Sequence, residues 1–189
     1  KCSKLAKKMQ MFRSHGVTGA TQEFSEQSHG PWYYEQQLLG FNYRMTDLHA
    51  ALGITQLNKL DCFVNKRNLQ AKRYIDKLSA LPVTPLNVNN DNLSSYHLFV
   101  VLLNEKSAHS KKLIVEKLRE EGVFAHVHYI PIYKQPYYQR LGFSQFYCEQ
   151  AEEYYKRAIT LPLFPLMTEE QQDKVIASLK KVLLMADSI

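Results

Sequence analysis

His126-Val127-His128 sets two imidazoles two residues apart, so on an extended strand both project to one side and could jointly hold a metal ion or an anion. The plainer reading is that one ring packs and the other is solvated, since no third ligand stands at a recognisable spacing. The segment runs on through Tyr129, Tyr133, Tyr137 and Tyr138, interrupted by Pro131 and Pro136. Prolines make it irregular, and loops hung on a rigid strand commonly carry ligand contacts. Its phenols and imidazoles suit stacking on a base or hydrogen bonding to sugar hydroxyls; packing at a domain edge would use the same residue types.

Gly40-Phe41-Asn42-Tyr43-Arg44-Met45 is a second candidate, a glycine-led turn feeding a helix start. Free N–H groups and the helix dipole attract anions there, and Asn42 and Arg44 add an amide and a guanidinium. The alternatives are Asn42 as a turn residue and Arg44 as a surface ion-pair partner. The chain has no glycine-rich phosphate loop, no His-Glu-x-x-His and no nucleophile elbow. Its three cysteines, Cys2, Cys62 and Cys148, stand too far apart for a metal knuckle or a redox pair and read as reduced thiols.

The elements that must position these groups belong to a folded protein, because 45% of the 189 residues are hydrophobic and 22% charged. The net charge of +6 is scattered along helices among Asp and Glu, except at Lys1, Lys4, Lys7, Lys8 and Arg13, which precede the first acidic residue and read as a solvated helix face. No basic-aromatic stripe appears, so no nucleic-acid partner is expected. No apolar run approaches the ~20 residues of a membrane span, and the start lacks the apolar segment of a signal peptide, which makes a cytoplasmic location without membrane contact the expectation.

Along the chain, Leu5, Met9 and Phe12 mark an amphipathic helix whose missing cap suggests the later part of a longer protein. Together with Trp32 they are expected to leave apolar area exposed. Gly16 to Gly30 reads as a loop. From Met45 through Leu48, Leu52, Leu57, Leu60, Val64, Ala71, Tyr74 and Leu78, one stripe predicts a single long helix, capped by Thr46 or Asp47 and bent near Gly53. At ~1.5 Å per residue such a helix reaches ~50 Å, the length of a bridge between two bodies. The polar run Asn87 to Ser95 is a loop. Beyond it, strands are predicted at His97 to Leu103, Val123 to Tyr129 and Ile159 to Leu163, with helices at Lys111 to Glu121 and Tyr147 to Ala158. Thr168-Glu169-Glu170-Gln171 is a capping box before a final helix faced by Val175, Ile176, Leu179, Val182 and Leu183.

The run GPWYYEQQLLG at Gly30 to Gly40, continued by FNYRMTDLHAALGITQL, resembles the DegT/DnrJ/StrS family of sugar-nucleotide aminotransferases, which use pyridoxal 5′-phosphate. MFRSHG at Met11 to Gly16, SSYHLFVV at Ser94 to Val101, VHYIPIYKQPYYQRLGF at Val127 to Phe143 and AITLPLFPLMTEEQQDKVI at Ala158 to Ile176 carry the resemblance to near the end. Within the family it is similar to the subgroup that aminates UDP-4-keto-6-deoxy-N-acetyl-β-L-altrosamine on the route to pseudaminic acid.

The resemblance implies an α/β protein of the type I pyridoxal-phosphate aminotransferase fold, represented by its C-terminal part. Residues 1–44 would close the large cofactor domain, 45–81 would form the interdomain helix, and 82–189 a small α+β domain with a short antiparallel sheet. It implies a homodimer that moves the amino group of L-glutamate to C4 of a UDP-keto-sugar, with pyridoxal 5′-phosphate as cofactor and no metal. Asn42 corresponds to an asparagine that reaches toward the partner's active site, near cofactor phosphate and substrate, and His126, Val127, His128 and Tyr129 correspond to a stretch lining the sugar-nucleotide site. The family's Schiff-base lysine lies in a Ser-Phe-His-x-x-Lys motif, followed by Glu-Gly-Gly, just before the position where this chain begins. Neither motif occurs here, so no catalytic residue is expected in this chain and the chain alone is expected to be inactive. A non-catalytic binding or regulatory relative of the same fold is the alternative.

Overall fold

The computed structural model describes residues 2–89 and 91–186; Lys1, Asn90 of the 87–95 loop and the last three residues lie outside the described part. The chain divides into two compact units, Lys1–Asn58 and Lys59–Ile189.

In the first unit, α1 (Ser3–Arg13) starts without a side-chain cap, as its sequence suggests. Two short strands follow, β1 (Val17–Thr18) and β2 (Glu35–Gln36), paired antiparallel with Val17 opposite Gln36. Gly16 (φ 73°) and Gly40 close this unit by direct backbone approach: a Cβ on Gly16 would lie 1.8 Å from the Leu38 carbonyl oxygen, and one on Gly40 would lie 2.1 Å from the Gly16 nitrogen. Glu35 gathers the intervening loop by accepting from the Ser25 N–H (2.7 Å), the Glu26 N–H (2.9 Å), the Tyr33 hydroxyl (3.1 Å) and Gln37 Nε2 (2.6 Å). Helix α2 (Asp47–Leu57) is capped by Thr46, whose hydroxyl accepts from the His49 N–H at 3.3 Å.

The predicted long helix is two helices. Helical hydrogen bonding is interrupted at Asn58 and Lys59, not near Gly53, and α3 (Leu60–Leu78) begins after it. The single apolar stripe accordingly meets two environments. Ala71, Tyr74 and Leu78 are fully buried, whereas Met45, Leu48, Leu52 and Leu57 are exposed. Leu5, Met9, Phe12 and Trp32 are also exposed, as expected.

The second unit has a three-stranded antiparallel sheet in the order β3 (Val83–Pro85), β4 (Phe99–Leu103), β5 (Ala158–Leu161). Phe99 faces Leu161 and Val101 faces Ile159 across β4 and β5. Between these strands the chain forms α4 (Glu105–Ala108), α5 (Lys111–Glu120), α6 (Pro136–Arg140) and α7 (Glu149–Arg157), and after them α8 (Glu169–Ala186). Phe99, Val101 and Leu103 alternate into a core shared with α3, Ile114 and Leu118 of α5, and Leu179, Val182 and Leu183 of α8. Tyr74 stacks on Phe99 at 4.9 Å and donates its hydroxyl to the Pro162 carbonyl at 2.9 Å. The capping box forms reciprocally: Gln171 N–H to Thr168 Oγ1 at 3.2 Å, and Thr168 N–H to Gln171 Oε1 at 3.0 Å.

The strand predicted at Val123 to Tyr129 is reduced to one bridge, between His126 and Thr160. The ladder stops because the next backbone groups are taken elsewhere: the Val127 N–H by His126 Nδ1 at 2.8 Å and the His128 carbonyl by the Tyr154 hydroxyl at 2.8 Å. Strand β5 ends two residues early because Pro162 has no N–H to give.

Leu179→Ala, which empties a fully buried site, is expected to lower the unfolding free energy by about 2–5 kcal/mol. Leu48→Ala, at a position 84% exposed, should change it by less than about 0.5 kcal/mol. Urea denaturation of both variants measures this; similar losses in the two would show that the core is not where it is described.

Candidate functional site

Thr160 is the residue from which the first candidate site is built. It sits on β5, and its backbone is paired with His126 in both directions, Thr160 N–H to the His126 carbonyl at 2.7 Å and His126 N–H to the Thr160 carbonyl at 3.1 Å. Two residues on, His128 Nδ1 lies 2.9 Å from Thr160 Oγ1. The two imidazole rings come to 4.8 Å with 33° between their planes, and Tyr129 stands edge-on to His128 at 4.7 Å. A cleft of about 200 Å³ opens here, lined among others by His97, Phe124, His126, His128, Thr160 and Leu163.

The predicted pair His126 and His128 is thus brought together in one cleft. Val127 and Tyr129 lie outside the lining, though the phenol of Tyr129 is 68% exposed beside it. His97 and Thr160 are additions that local spacing does not mark, because their part in the site depends on strand pairing. No carboxylate lines the cleft. Burial, first, and the neighbouring imidazoles of His126 and His97 push the His128 pKa below the ordinary imidazole value, which keeps the ring neutral at neutral pH. Among the described residues no group of three or more His, Cys, Asp or Glu is placed to hold a metal ion. The arrangement offers imidazoles and a phenol as hydrogen-bonding groups for an oxygen-rich ligand.

The second candidate, Asn42, is held by α1. Phe41 N–H bonds the Phe12 carbonyl at 2.7 Å and Tyr43 N–H the Arg13 carbonyl at 2.9 Å, while His15 N–H bonds the Phe41 carbonyl at 2.8 Å. These bonds satisfy carbonyls at the end of α1 and bridge Ser14 to Asn42. Phe41 and Tyr43 stack on each other at 5.0 Å, so Asn42 between them turns to the opposite side. Its amide is exposed and has no hydrogen bond among the described residues; Arg44 is exposed and has no ion pair among them. A phosphate oxygen suits both groups. The start of α2 itself is already capped by Thr46.

A larger cleft, about 870 Å³, lies between α4, α5 and α7. Two of its lysines are engaged there: Lys134 pairs with Glu152, which also accepts from the Tyr133 hydroxyl at 2.7 Å, and Lys111 bonds the Tyr155 carbonyl and lies 4.2 Å over that ring. No helix among the described residues is long and apolar enough to cross a membrane.

Residues 2–180 match the DegT/DnrJ/EryC1/StrS aminotransferase family. The spore coat polysaccharide biosynthesis protein SpsC of Bacillus subtilis is 35% identical over 97% of this chain and 48% of its own length. The UDP-4-amino-4,6-dideoxy-N-acetyl-beta-L-altrosamine transaminase of Helicobacter pylori is 34% identical over 95% of this chain and 45% of its own. Among solved structures, Helicobacter pylori PseC, an aminotransferase involved in the biosynthesis of pseudoaminic acid, superposes with a TM-score of 0.86 at 32% identity, covering 97% of this chain and 47% of that one. The sugar aminotransferase Spr1654 of Streptococcus pneumoniae in its PMP form gives 0.88 at 26% identity, over 98% of this chain and 46% of that one. The chain spans about half the length of the curated relatives it matches.

The lowered His128 pKa sets a direction for pH dependence. Stability from the neutral ring is present above about pH 6.5 and is lost as pH falls through the lowered value, because the unfolded chain then binds the proton more readily. His126→Ala removes one positive neighbour, so the His128 midpoint followed by NMR should rise toward the ordinary value. An unchanged midpoint would show that the two rings do not sense each other.

Proposed function

The chain belongs to the DegT/DnrJ/EryC1/StrS aminotransferase family, and on that premise we propose that it is the C-terminal half of an enzyme that moves the amino group of L-glutamate to C4 of a UDP-4-keto-6-deoxy sugar in surface-glycan biosynthesis, acting as a homodimer. The observation that carries this reading is the likeness to the Helicobacter pylori transaminase, which runs along nearly the whole chain. The carboxylate-free cleft supports it, since a nucleotide sugar presents hydroxyl and phosphoryl oxygens that imidazole N–H groups can bond.

Nitrogen transfer between donor and acceptor is the chemistry supplied by pyridoxal phosphate when it is bound. Asn42 fits a phosphate-bearing cofactor or substrate: its amide is exposed, unbonded among the described residues and held by backbone bonds to the end of α1. His126, His128 and Tyr129 bond the sugar nucleotide, with Val127 setting their spacing along the chain. The cofactor-attaching lysine motif is absent from these 189 residues, so this chain contributes binding groups and leaves proton transfer at the reacting carbon to a lysine outside it. That same absence is the one observation favouring a non-catalytic binding module. The coding sequence upstream of Lys1 separates the two, according to whether it encodes Ser-Phe-His-x-x-Lys.

Incubated with pyridoxal phosphate and reduced with borohydride, the chain alone should show no stoichiometric adduct at one lysine by visible spectroscopy and peptide mass analysis. A single modified lysine at full occupancy would overturn the assignment of roles. In the complete enzyme, Asn42→Ala should weaken cofactor or substrate binding about ten- to a hundredfold, the loss of one charge-assisted bond of roughly 1.5–3 kcal/mol. His128→Ala should slow the half-reaction with the keto-sugar and spare the half-reaction with glutamate, as read by single-turnover spectroscopy; equal effects on both would place His128 elsewhere.

A further inference from the structure

We infer that Thr160 is a positioning residue for the cleft: its buried hydroxyl donates to His128 Nδ1, so that Nε2–H is the ring group left to face a ligand. The inference rests on the proposed function for the identity of that ligand, and on the geometry of β5 for the rest.

Thr160 is 6% exposed, and its backbone N–H and carbonyl are both engaged by His126. Among the described residues its hydroxyl has one hydrogen-bonding partner, His128 Nδ1 at 2.9 Å. A buried hydroxyl proton with no acceptor costs free energy. If Nδ1 carried the hydrogen and donated to Oγ1, the hydroxyl proton would have no acceptor among the described residues; donation by the hydroxyl satisfies both atoms at once.

This arrangement needs a neutral ring with a lone pair on Nδ1, and the surroundings supply it. His126 and His97 face the ring from the neighbouring bridge and from the residues before β4, Tyr154 of α7 donates to the His128 carbonyl, and Tyr129 stands at the ring's edge. None of these carries a negative charge that would hold an imidazolium. With Nδ1 occupied as an acceptor, Nε2 bears the proton. His128 is then a hydrogen-bond donor to hydroxyl, carbonyl or phosphoryl oxygens and is not available as a general base. One residue therefore engages both histidines, the backbone of His126 and the ring of His128.

Long-range ¹H–¹⁵N spectra of the full-length, histidine-labelled protein, recorded above the titration of the ring, read the tautomer directly. The Nε2–H form is expected in the parent and in Thr160→Ser, and loss of that preference in Thr160→Val, which removes the hydroxyl and keeps the shape. An Nδ1–H form in the parent overturns the inference whether or not the valine variant folds, and so does an unchanged tautomer in a folded valine variant. With UDP as probe, Thr160→Val should weaken binding about three- to tenfold and Thr160→Ser should restore it. If the spectra behave as expected while UDP binds equally to the parent, to Thr160→Val and to His128→Ala, the positioning of the ring stands and the sugar-nucleotide reading of the cleft falls.

Discussion

Strand β5 is buried along its whole length, so each backbone N–H and carbonyl on it must find a partner inside the protein. On one edge β4 takes them in antiparallel register; on the other, among the described residues, Thr160 is met by His126 and the Ala158 N–H by the Tyr154 carbonyl. The end of the strand obeys the same accounting, since Pro162 offers a carbonyl but no N–H and Tyr74 of α3 donates to that carbonyl. The position of the histidine segment thus follows from the hydrogen-bond needs of a four-residue strand. Helices α3, α5 and α8 pack the core against which that strand is held.

The two units are stabilised by different means. In the second, side chains from three helices and the sheet meet in one apolar core. The first buries little beyond Gly16 and Thr18, and it is held by backbone contact and by carboxylates that accept several bonds each, Glu35 in the loop and Glu23 from Thr18 and Lys7. Its apolar side chains on α1 and α2 face outward. Apolar faces of that extent are ordinarily covered by further protein.

Features written in neighbouring residues were legible from the sequence. The capping box at Thr168, the Thr46 cap and the apolar run that ends at Leu103 are written within a few neighbouring positions, and the structure has them. The family, its cofactor and its fold were legible from long motifs in order. What could not be read depends on distant pairing. The spacing of His126 and His128 says that they share a side, but not that Thr160, more than thirty residues on, holds both of them or that His97 joins them. Periodicity likewise marks an apolar stripe without saying where it is covered, which is why Leu48 and Leu78 look alike in sequence and differ in the structure. Strand β3, with prolines at both ends, and the turns around Pro131 and Pro136 offer too little regular pattern to predict.

The contact between Gly16 and Gly40 joins main chain to main chain with no side chain between. Asn42 stands two residues beyond Gly40, so its placement passes through a joint that tolerates no added atom. Side chains elsewhere in this unit can drift through evolution and be compensated by their neighbours, because a changed volume can be matched by another. A hydrogen replaced by a methyl group at this joint has no such remedy. The two glycines should therefore persist together across relatives whose surrounding loops have diverged, as a paired signature lying outside the site it serves.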